Sequence, residues 1–156
     1  MSRAPLLLVA LPSLALVGAC STAPPTAEEL VPVLAEPRTE ADALPQIEGS
    51  DVDDGLVAAS ARRLGATDQA EYWVAVDDED GVCLPQSLAP GGTNVTRACG
   101  SVVDLARYGT WVRGANQTVS ATGLLAPEGF DLDDALRDED WVLIADNLAV
   151  PADEAG

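Results

Sequence analysis

Alternating apolar and polar positions between residues 51 and 150 predict a small domain built on short β-strands. Large apolar residues in 72–76 alternate across two faces, and an acidic turn separates this run from a second apolar run at 82–84. This pattern is typical of a β-hairpin. Residues 117–125 alternate in the same way and predict a half-buried strand. The apolar runs within 141–150 predict either another hairpin or one bent strand.

Capping patterns predict two or three short helices beside these strands. Ser50 and Asp53 form a capping-box pattern ahead of a helix that would end at Gly65, and residues 101–109 repeat the pattern with a glycine at the end. Acidic residues at the start of 131–136 predict one further helical turn. Pairing of the strands through local connections gives an α+β fold, in which a small antiparallel sheet carries two or three short helices and one disulfide.

Residues 1–19 have the pattern of an export signal. Arg3 supplies a short positive region, residues 4–17 are largely apolar, and small residues precede Cys20. The apolar run is shorter than a membrane-spanning helix requires and contains prolines, which disfavours a transmembrane anchor. An ordinary secretory signal that ends near a cysteine is the alternative interpretation.

The ending Val17-Gly18-Ala19-Cys20 resembles the lipobox of bacterial lipoproteins. The resemblance implies that the signal is removed and that Cys20, as the new amino terminus, carries a diacylglycerol thioether. Two acyl chains suffice for stable anchoring, whereas a single chain binds a membrane only marginally. We therefore expect a protein on the extracytoplasmic face of the cell membrane, with the lipid anchor as its only contact with the membrane.

Residues 20–50 are predicted to form a disordered, acidic, proline-rich tether ahead of the domain at 51–150. Five prolines and six acidic residues are interleaved there, with few aromatic or clustered apolar residues. A flexible chain of this length reaches about 30 Å, so the folded part would stand clear of the lipid surface. Residues 151–156 are expected to be a disordered tail.

Cysteine usage predicts a disulfide. Lipidation of one of the three cysteines would leave the pair Cys83 and Cys99. Outside the cytoplasmic membrane such a pair is expected to be oxidised, and closing a loop of this length stabilises a fold by roughly 3 kcal/mol. A metal–thiolate site is the competing interpretation, but it would need two more ligands and the chain has no histidine.

The chain is strongly acidic, with a formal net charge of −18, and removal of Arg3 with the signal would bring the charge to −19. Such a surface repels nucleic-acid phosphates and anionic lipid head groups, so we expect no nucleic-acid partner. The charge favours a basic or multivalent-cation partner, while solubility through self-repulsion is the simpler explanation. We expect any protein partner to belong to the cell envelope.

No catalytic, cofactor or metal site is predicted. The absence of histidine removes the usual neutral-pH base and the commonest zinc ligand, and neither a nucleophile elbow nor a phosphate loop occurs. The acidic clusters that begin at Asp51, Asp77 and Asp131 lack the spacing of an EF-hand-type calcium loop and are explained as turns or helix caps. Two alternatives stay open: a cell-envelope hydrolase that uses paired carboxylates, and a weak divalent-cation-binding module.

The three tryptophans, Trp73, Trp111 and Trp141, lie in strand-like runs beside other apolar residues, so we expect them in the core and not on a binding platform. The run at 72–76, the acidic turn and the cysteine pair resemble small uncharacterised exported domains of high-GC Gram-positive bacteria, a group that carries no activity to transfer. The function expected from the sequence is a lipid-anchored, extracytoplasmic binding or structural module and not an enzyme.

Overall fold

The computed structural model describes residues 23–45, 55–88, 95–132 and 140–156. Within these residues the chain forms eight β-strands and two short α-helices, and the strands make two four-stranded antiparallel sheets. Both sheets contribute side chains to one shared apolar core. The architecture is therefore that of two packed β-layers.

The two sheets follow each other along the chain. The first has the strand order β1-β2-β3-β4. Its strands are β1 (Arg62–Ala66), β2 (Ala70–Val76), β3 (Val82–Leu88) and β4 (Val95–Gly100). The second has the order β5-β6-β8-β7. Its strands are β5 (Thr110–Ala115), β6 (Ser120–Leu125), β7 (Trp141–Ala145) and β8 (Leu148–Pro151).

Helical elements are short and lie outside the sheets. The two α-helices are α1 (Ala27–Leu30), which precedes the first sheet, and α2 (Val102–Tyr108), which connects the two sheets. In the described residues, 3-10 turns occupy Pro32–Ala35, Glu40–Asp42, Ala58–Ser60 and Ala152–Glu154.

Both predicted hairpins form. β2 pairs with β3, and Asp77 closes the acidic turn between them by accepting hydrogen bonds from the backbone N–H groups of Glu79 (3.0 Å) and Gly81 (2.6 Å). β7 pairs with β8 around the turn at 146–147. The strand predicted at 117–125 is present as β6. The Asp77 cluster thus has the turn-forming role that the sequence predicts.

The core between the sheets contains one polar pair. The hydroxyl of the fully buried Tyr72 donates to the carbonyl oxygen of Thr122 (3.1 Å). Nε2 of Gln86, also fully buried, donates to the Tyr72 hydroxyl (3.2 Å) and to the carbonyl oxygen of Ala121 (3.0 Å). Burial raises the pKa of Tyr72 to about 12; the bond from Gln86 opposes this shift and the negative charge of Glu154 adds to it. These bonds join the first sheet to β6.

The Cys83–Cys99 disulfide is confirmed. The two residues face each other across β3 and β4, with their Cα atoms 4.0 Å apart. Cys83 is fully buried, whereas Cys99 is exposed. The bond therefore ties the edge strand β4 to the interior of the first sheet.

The predicted α+β class fits only loosely, because the described residues are mostly β and form two sheets instead of one. The reason lies in β2, which is buried on both faces. Tyr72 and Val74 belong to the shared core, whereas Trp73 and Ala75 are buried on the opposite face together with Leu44. A single sheet with helices on one side would leave one of these apolar faces in water.

The prediction of a helix that ends at Gly65 is wrong for the residues that the structure describes. A 3-10 turn at Ala58–Ser60 leads instead into strand β1. The proposed capping residues Ser50 and Asp53 lie outside the described residues. Leu56 and Ala61, which lie within the segment predicted as that helix, instead cover the outer face of the first sheet. Spaced apolar residues in a short segment fit either element.

The second predicted helix is confirmed as α2. The Ser101 hydroxyl accepts a hydrogen bond from the backbone N–H of Asp104 (3.1 Å), and Gly109, with φ of 66°, ends the helix. A glycine reaches this left-handed conformation without a steric penalty. Most of the third predicted helical turn, at 131–136, falls on residues 133–136, which lie outside the described part.

Residues 23–45 pack against the sheets, in contrast to the disordered tether that the sequence predicts. Val31 is fully buried in the shared core, and Leu44 is buried on the outer face of the first sheet. The predicted tail also makes a contact with the second sheet, where the Glu154 carboxylate accepts a hydrogen bond from the backbone N–H of Thr122 (2.8 Å). Single apolar residues among prolines give no periodic signal, so the sequence does not reveal that they have a place to pack.

The predicted signal peptide at 1–19 and the predicted lipidation site Cys20 lie outside the described residues. Among the residues that are described, no helix has the length and apolar character needed to cross a bilayer.

Candidate binding groove

Trp111 is an exposed aromatic residue on the outer face of the second sheet. β5 alternates between its two faces, so that Thr110, Val112 and Gly114 are buried while Trp111 is 42 % exposed. Trp73, by contrast, is 3 % exposed. The prediction that the tryptophans lie in the core is therefore confirmed for Trp73 and wrong for Trp111.

Two contacts hold the Trp111 ring in one orientation. Its centroid lies 4.9 Å from that of Trp141, with the ring planes at 81°, so the indoles of the two edge strands of this sheet meet edge to face. Nε1 of Trp111 donates to the carbonyl oxygen of Tyr108 (3.3 Å). Because the ring is already held, little side-chain freedom would be lost on binding a ligand against it.

A small apolar cluster lies beside this aromatic pair. Leu124 in β6 is the cross-strand neighbour of Trp111, and Ala149 in β8 is the next residue along the same row. Both are fully buried, and Phe130 and Trp141 pack against them. The outer face of the second sheet is thus covered in part by the turn after β6, and Trp111 lies at the margin of that cover.

A shallow hollow of about 520 Å³ opens beside Trp111. We call it the aromatic hollow, and its lining includes Arg107, Tyr108, Trp111, Gly129, Phe130 and Asp131. Tyr108 is 63 % exposed. The Arg107 side chain is exposed near the end of α2, and its guanidinium group makes no hydrogen bond or ion pair with the described residues. Since Arg107 and Asp131 contribute opposite charges, the lining of the hollow is electrically balanced.

A second concavity, of about 560 Å³, shares Gly129 with the aromatic hollow. We call it the acidic cleft, because three carboxylates are part of its lining, those of Glu36, Glu128 and Asp146. Arg63 also lines it, but its Nη2 lies 3.1 Å from Oε1 of Glu71. This ion pair offsets the charge of Arg63, so the three carboxylates make the charge of the cleft negative.

Gly129 belongs to the turn that joins the two concavities. The turn is held by a hydrogen bond from the Phe130 N–H to the Pro127 carbonyl oxygen (3.0 Å) and by one from the Glu128 N–H to the Leu30 carbonyl oxygen (2.8 Å). Gly129 has φ of 75°, and a Cβ atom added there would meet no heavy atom within 4 Å. The backbone is thus open at this point, where the hollow and the cleft share a lining residue, and we call the two adjacent concavities together the binding groove.

The N-terminal segment supplies part of the wall of the acidic cleft, and two residues of β1 hold it. Arg62 donates from Nε (3.0 Å) and Nη2 (2.7 Å) to the carbonyl oxygen of Glu36. Asp42 accepts hydrogen bonds from the Arg63 N–H (2.8 Å) and from the N–H (2.6 Å) and hydroxyl (2.8 Å) of Thr39. Burial raises the pKa of Asp42, but these bonds and the charge of Arg62 outweigh that effect and hold the pKa below its usual 3.8.

One other group of ligand-type side chains is close together within the described residues. The ligand atoms of Asp77, Cys83 and Cys99 lie within 4.8 Å of one another. The two sulfur atoms form the disulfide, and the Asp77 carboxylate accepts the hydrogen bonds of the β2–β3 turn. With the disulfide intact this group offers no thiolate to a cation. Divalent-cation binding stays an untested prediction.

Sequence reasoning missed most of the binding groove. It preferred a core position for Trp111 over a binding platform and assigned no binding role to Arg107, Tyr108 or Phe130. The alternation along β5 was the one available signal. The mostly small residues at 110, 112 and 114 share one face of the strand and are buried, so Trp111 points to the opposite face.

Comparison with protein-family models, with curated proteins and with solved structures finds no match to this chain.

Proposed function

We propose that the protein is a binding module of the cell envelope, anchored through a lipid on Cys20, that holds a partner in the binding groove. The observation that carries the proposal is the exposed Trp111 ring, held by Trp141 and Tyr108 beside a concave surface. Exposed aromatic residues in fixed orientations are typical anchors of binding surfaces, because they provide large contact areas at a small entropic cost.

The experiment compares retention of the full-length protein on cell-envelope material isolated from a strain that lacks it. Trp111→Ala is expected to reduce the retained fraction at least about tenfold, as for an aromatic anchor at the centre of an interface. The matched control is Val103→Ala, which truncates an apolar residue that is 49 % exposed on α2 and does not belong to the groove. Equal retention of the wild type and Trp111→Ala would overturn the proposal.

The anchor is tested separately by the intact mass of the membrane-fraction protein. We expect a chain that begins at Cys20 and carries a diacylglycerol adduct. In Cys20→Ala the adduct and the membrane association should both be lost, because the acidic domain has no affinity of its own for anionic lipid. A membrane-associated Cys20→Ala protein would contradict the lipid anchor without affecting the argument for the groove.

A carboxylate-based hydrolase is the second candidate, and the acidic cleft is the observation that favours it. Glycoside hydrolysis needs two carboxyl groups that flank the scissile bond, and three carboxylates line this cleft. The test is release of reducing ends from purified envelope glycan by the full-length protein. If the cleft is catalytic, Glu128→Gln or Asp146→Asn should abolish the release, whereas Glu79→Gln in the β2–β3 turn should not. Absence of release by the wild type would eliminate this candidate.

A further inference from the structure

We infer that the binding groove takes an extended basic polypeptide segment, with an aromatic or apolar side chain in the aromatic hollow and lysine or arginine side chains in the acidic cleft. This inference rests on the proposed function and names the class of partner that the same groove would bind.

The charge of the acidic cleft selects a basic ligand. Glu36, Glu128 and Asp146 are exposed, and the pairing of Arg63 with Glu71 leaves their negative charge uncompensated by the lining. The chain as a whole carries a net charge of −18, which adds a long-range attraction for cations and repels anionic polymers. An apolar ligand in this cleft would instead remove water from carboxylates without giving them a partner.

The aromatic hollow selects a different kind of side chain. The opposite charges of Arg107 and Asp131 leave the lining of the hollow without net charge, so a cationic side chain gains no net attraction there. The rings of Trp111 and Phe130 offer apolar surface and edge-to-face partners for an aromatic side chain. Because the hollow favours an uncharged side chain and the cleft favours a cationic one, the groove distinguishes the two ends of the bound segment.

The dimensions fit a short extended segment. The hollow and the cleft have volumes of about 520 and 560 Å³, and Gly129, which has no side chain, lines both of them. An extended chain advances about 3.3 Å per residue, so adjacent concavities are reached by residues only a few positions apart. The expected motif is therefore one aromatic residue close in sequence to two or more basic residues.

A neutral saccharide is the other ligand that could stack on Trp111, but it would not use the negative charge of the acidic cleft. The two classes differ in their response to salt, because attraction between exposed charges is screened as ionic strength rises. Salt dependence therefore decides between them.

The test is a fluorescence titration of the full-length protein with short synthetic peptides. The probe is a Gly-Ser peptide that carries one tryptophan followed by several lysines, and the comparison peptides replace either the tryptophan or the lysines by serine. Both replacements are expected to weaken binding at least about tenfold at low salt. Binding of the lysine-containing probe should weaken steeply with added salt.

Variants assign each part of the ligand to its part of the groove. Trp111→Ala should weaken binding of the probe at least about tenfold without changing the salt dependence. Glu128→Gln combined with Asp146→Asn should weaken it by about threefold to tenfold and reduce the salt dependence, since each exposed pair contributes modestly. Glu79→Gln and Val103→Ala remove a carboxylate and an apolar side chain outside the groove, so both should bind like the wild type.

The outcomes separate this inference from the proposed function. Binding of a neutral N-acetylglucosamine oligomer that depends on Trp111 and not on salt would overturn the basic-peptide inference and leave the binding module intact. Equal binding of the probe and of the peptide in which serine replaces the lysines would likewise overturn the basic-peptide inference and leave the binding module intact. If Trp111→Ala also retains full binding to envelope material, the proposed function itself is wrong.

Discussion

Replacement of Asp42 by alanine is expected to lower the free energy of unfolding by about 3 kcal/mol. The buried carboxylate accepts three hydrogen bonds, one from the backbone N–H of Arg63 and two from Thr39. Its removal leaves the backbone N–H groups of Arg63 and Thr39 without these partners. An unsatisfied buried donor costs about 1–3 kcal/mol, and since both groups are only partly buried each should cost near the lower value. Loss of the bond from the Thr39 hydroxyl adds to the loss at these two N–H groups. Because the three groups are neighbours, their contributions overlap, and we expect a total of about 3 kcal/mol.

The measurement is urea-induced unfolding followed by tryptophan fluorescence, with limited proteolysis as a local readout. Asp42→Ala should lower the urea midpoint and expose residues 23–45 to cleavage before the sheets unfold. Glu40→Gln is the matched control, because Glu40 is an exposed carboxylate in the same 3-10 turn. A surface change of that kind should alter the unfolding free energy by no more than about 0.5 kcal/mol.

The pH dependence gives an independent check. The folded pKa of Asp42 lies below the usual 3.8, so its ionised form stabilises the fold above that pH and the stabilisation is lost as the pH falls through the folded pKa. The stability difference between the wild type and Asp42→Asn should therefore shrink in this acidic window. A difference that stays constant there, or an Asp42→Ala protein as stable as Glu40→Gln, would refute the assigned role of the carboxylate.

Three further predictions concern the sheets. Gly109→Ala should destabilise by about 2–4 kcal/mol, because the added Cβ would lie 2.9 Å from a backbone carbonyl oxygen at a φ of 66°, whereas Gly129→Ala, at φ 75° with open space around it, should cost only about 1 kcal/mol. Urea-induced unfolding of the two variants measures both losses of unfolding free energy. Equal losses would contradict the close approach of Gly109 to the backbone carbonyl oxygen. The pKa of Tyr72 is raised from 10.0 to about 12, so its neutral form contributes stability that is present below pH 10 and lost as the pH rises towards about 12. Tyrosinate absorbance should show a late step that is missing in Tyr72→Phe. The double change Cys83→Ser and Cys99→Ser should lower the unfolding free energy by about 3 kcal/mol, and a loss below about 1 kcal/mol would show that the disulfide adds little to the pairing of β3 and β4.

Strands were predictable from the sequence where both their alternation and their turns are local. The hairpin of β2 and β3 is specified by alternating residues and by the turn at Asp77, and α2 is specified by Ser101 and Gly109. The first segment of the domain was misread because Leu56 and Ala61 fit one face of a helix as well as the cover of a sheet. The choice between the two depends on Trp73, whose burial on the outer face of the first sheet is a tertiary property.

The binding groove was less predictable than the fold because its parts are distant in sequence. Glu36 comes from the N-terminal segment, Trp111 from β5, Glu128 from the turn after β6 and Asp146 from the last hairpin. None of these residues belongs to a motif whose spacing carries chemistry. Only the packing of two sheets brings them together, and the sequence pattern did not predict the second sheet.

Packing of the N-terminal segment also changes where the proposed lipid anchor would hold the domain. A free chain over residues 20–50 would allow a reach of about 30 Å between lipid and fold. Since α1 begins at Ala27 and Val31 is buried in the core, only the chain between Cys20 and Ala27 is left to separate them, and a fully extended chain of that length spans at most about 25 Å. This reach is about three times the screening length of about 8 Å at physiological salt, so the acidic domain avoids the repulsion of an anionic bilayer surface as long as the linker does not collapse. Glu36, in the lining of the acidic cleft, belongs to this N-terminal segment, and the N–H of Glu128 donates to the carbonyl oxygen of Leu30 in the same segment. A basic partner segment bound in that cleft would also reduce the repulsion between the domain and the membrane, so lipid anchoring and partner binding are expected to favour each other.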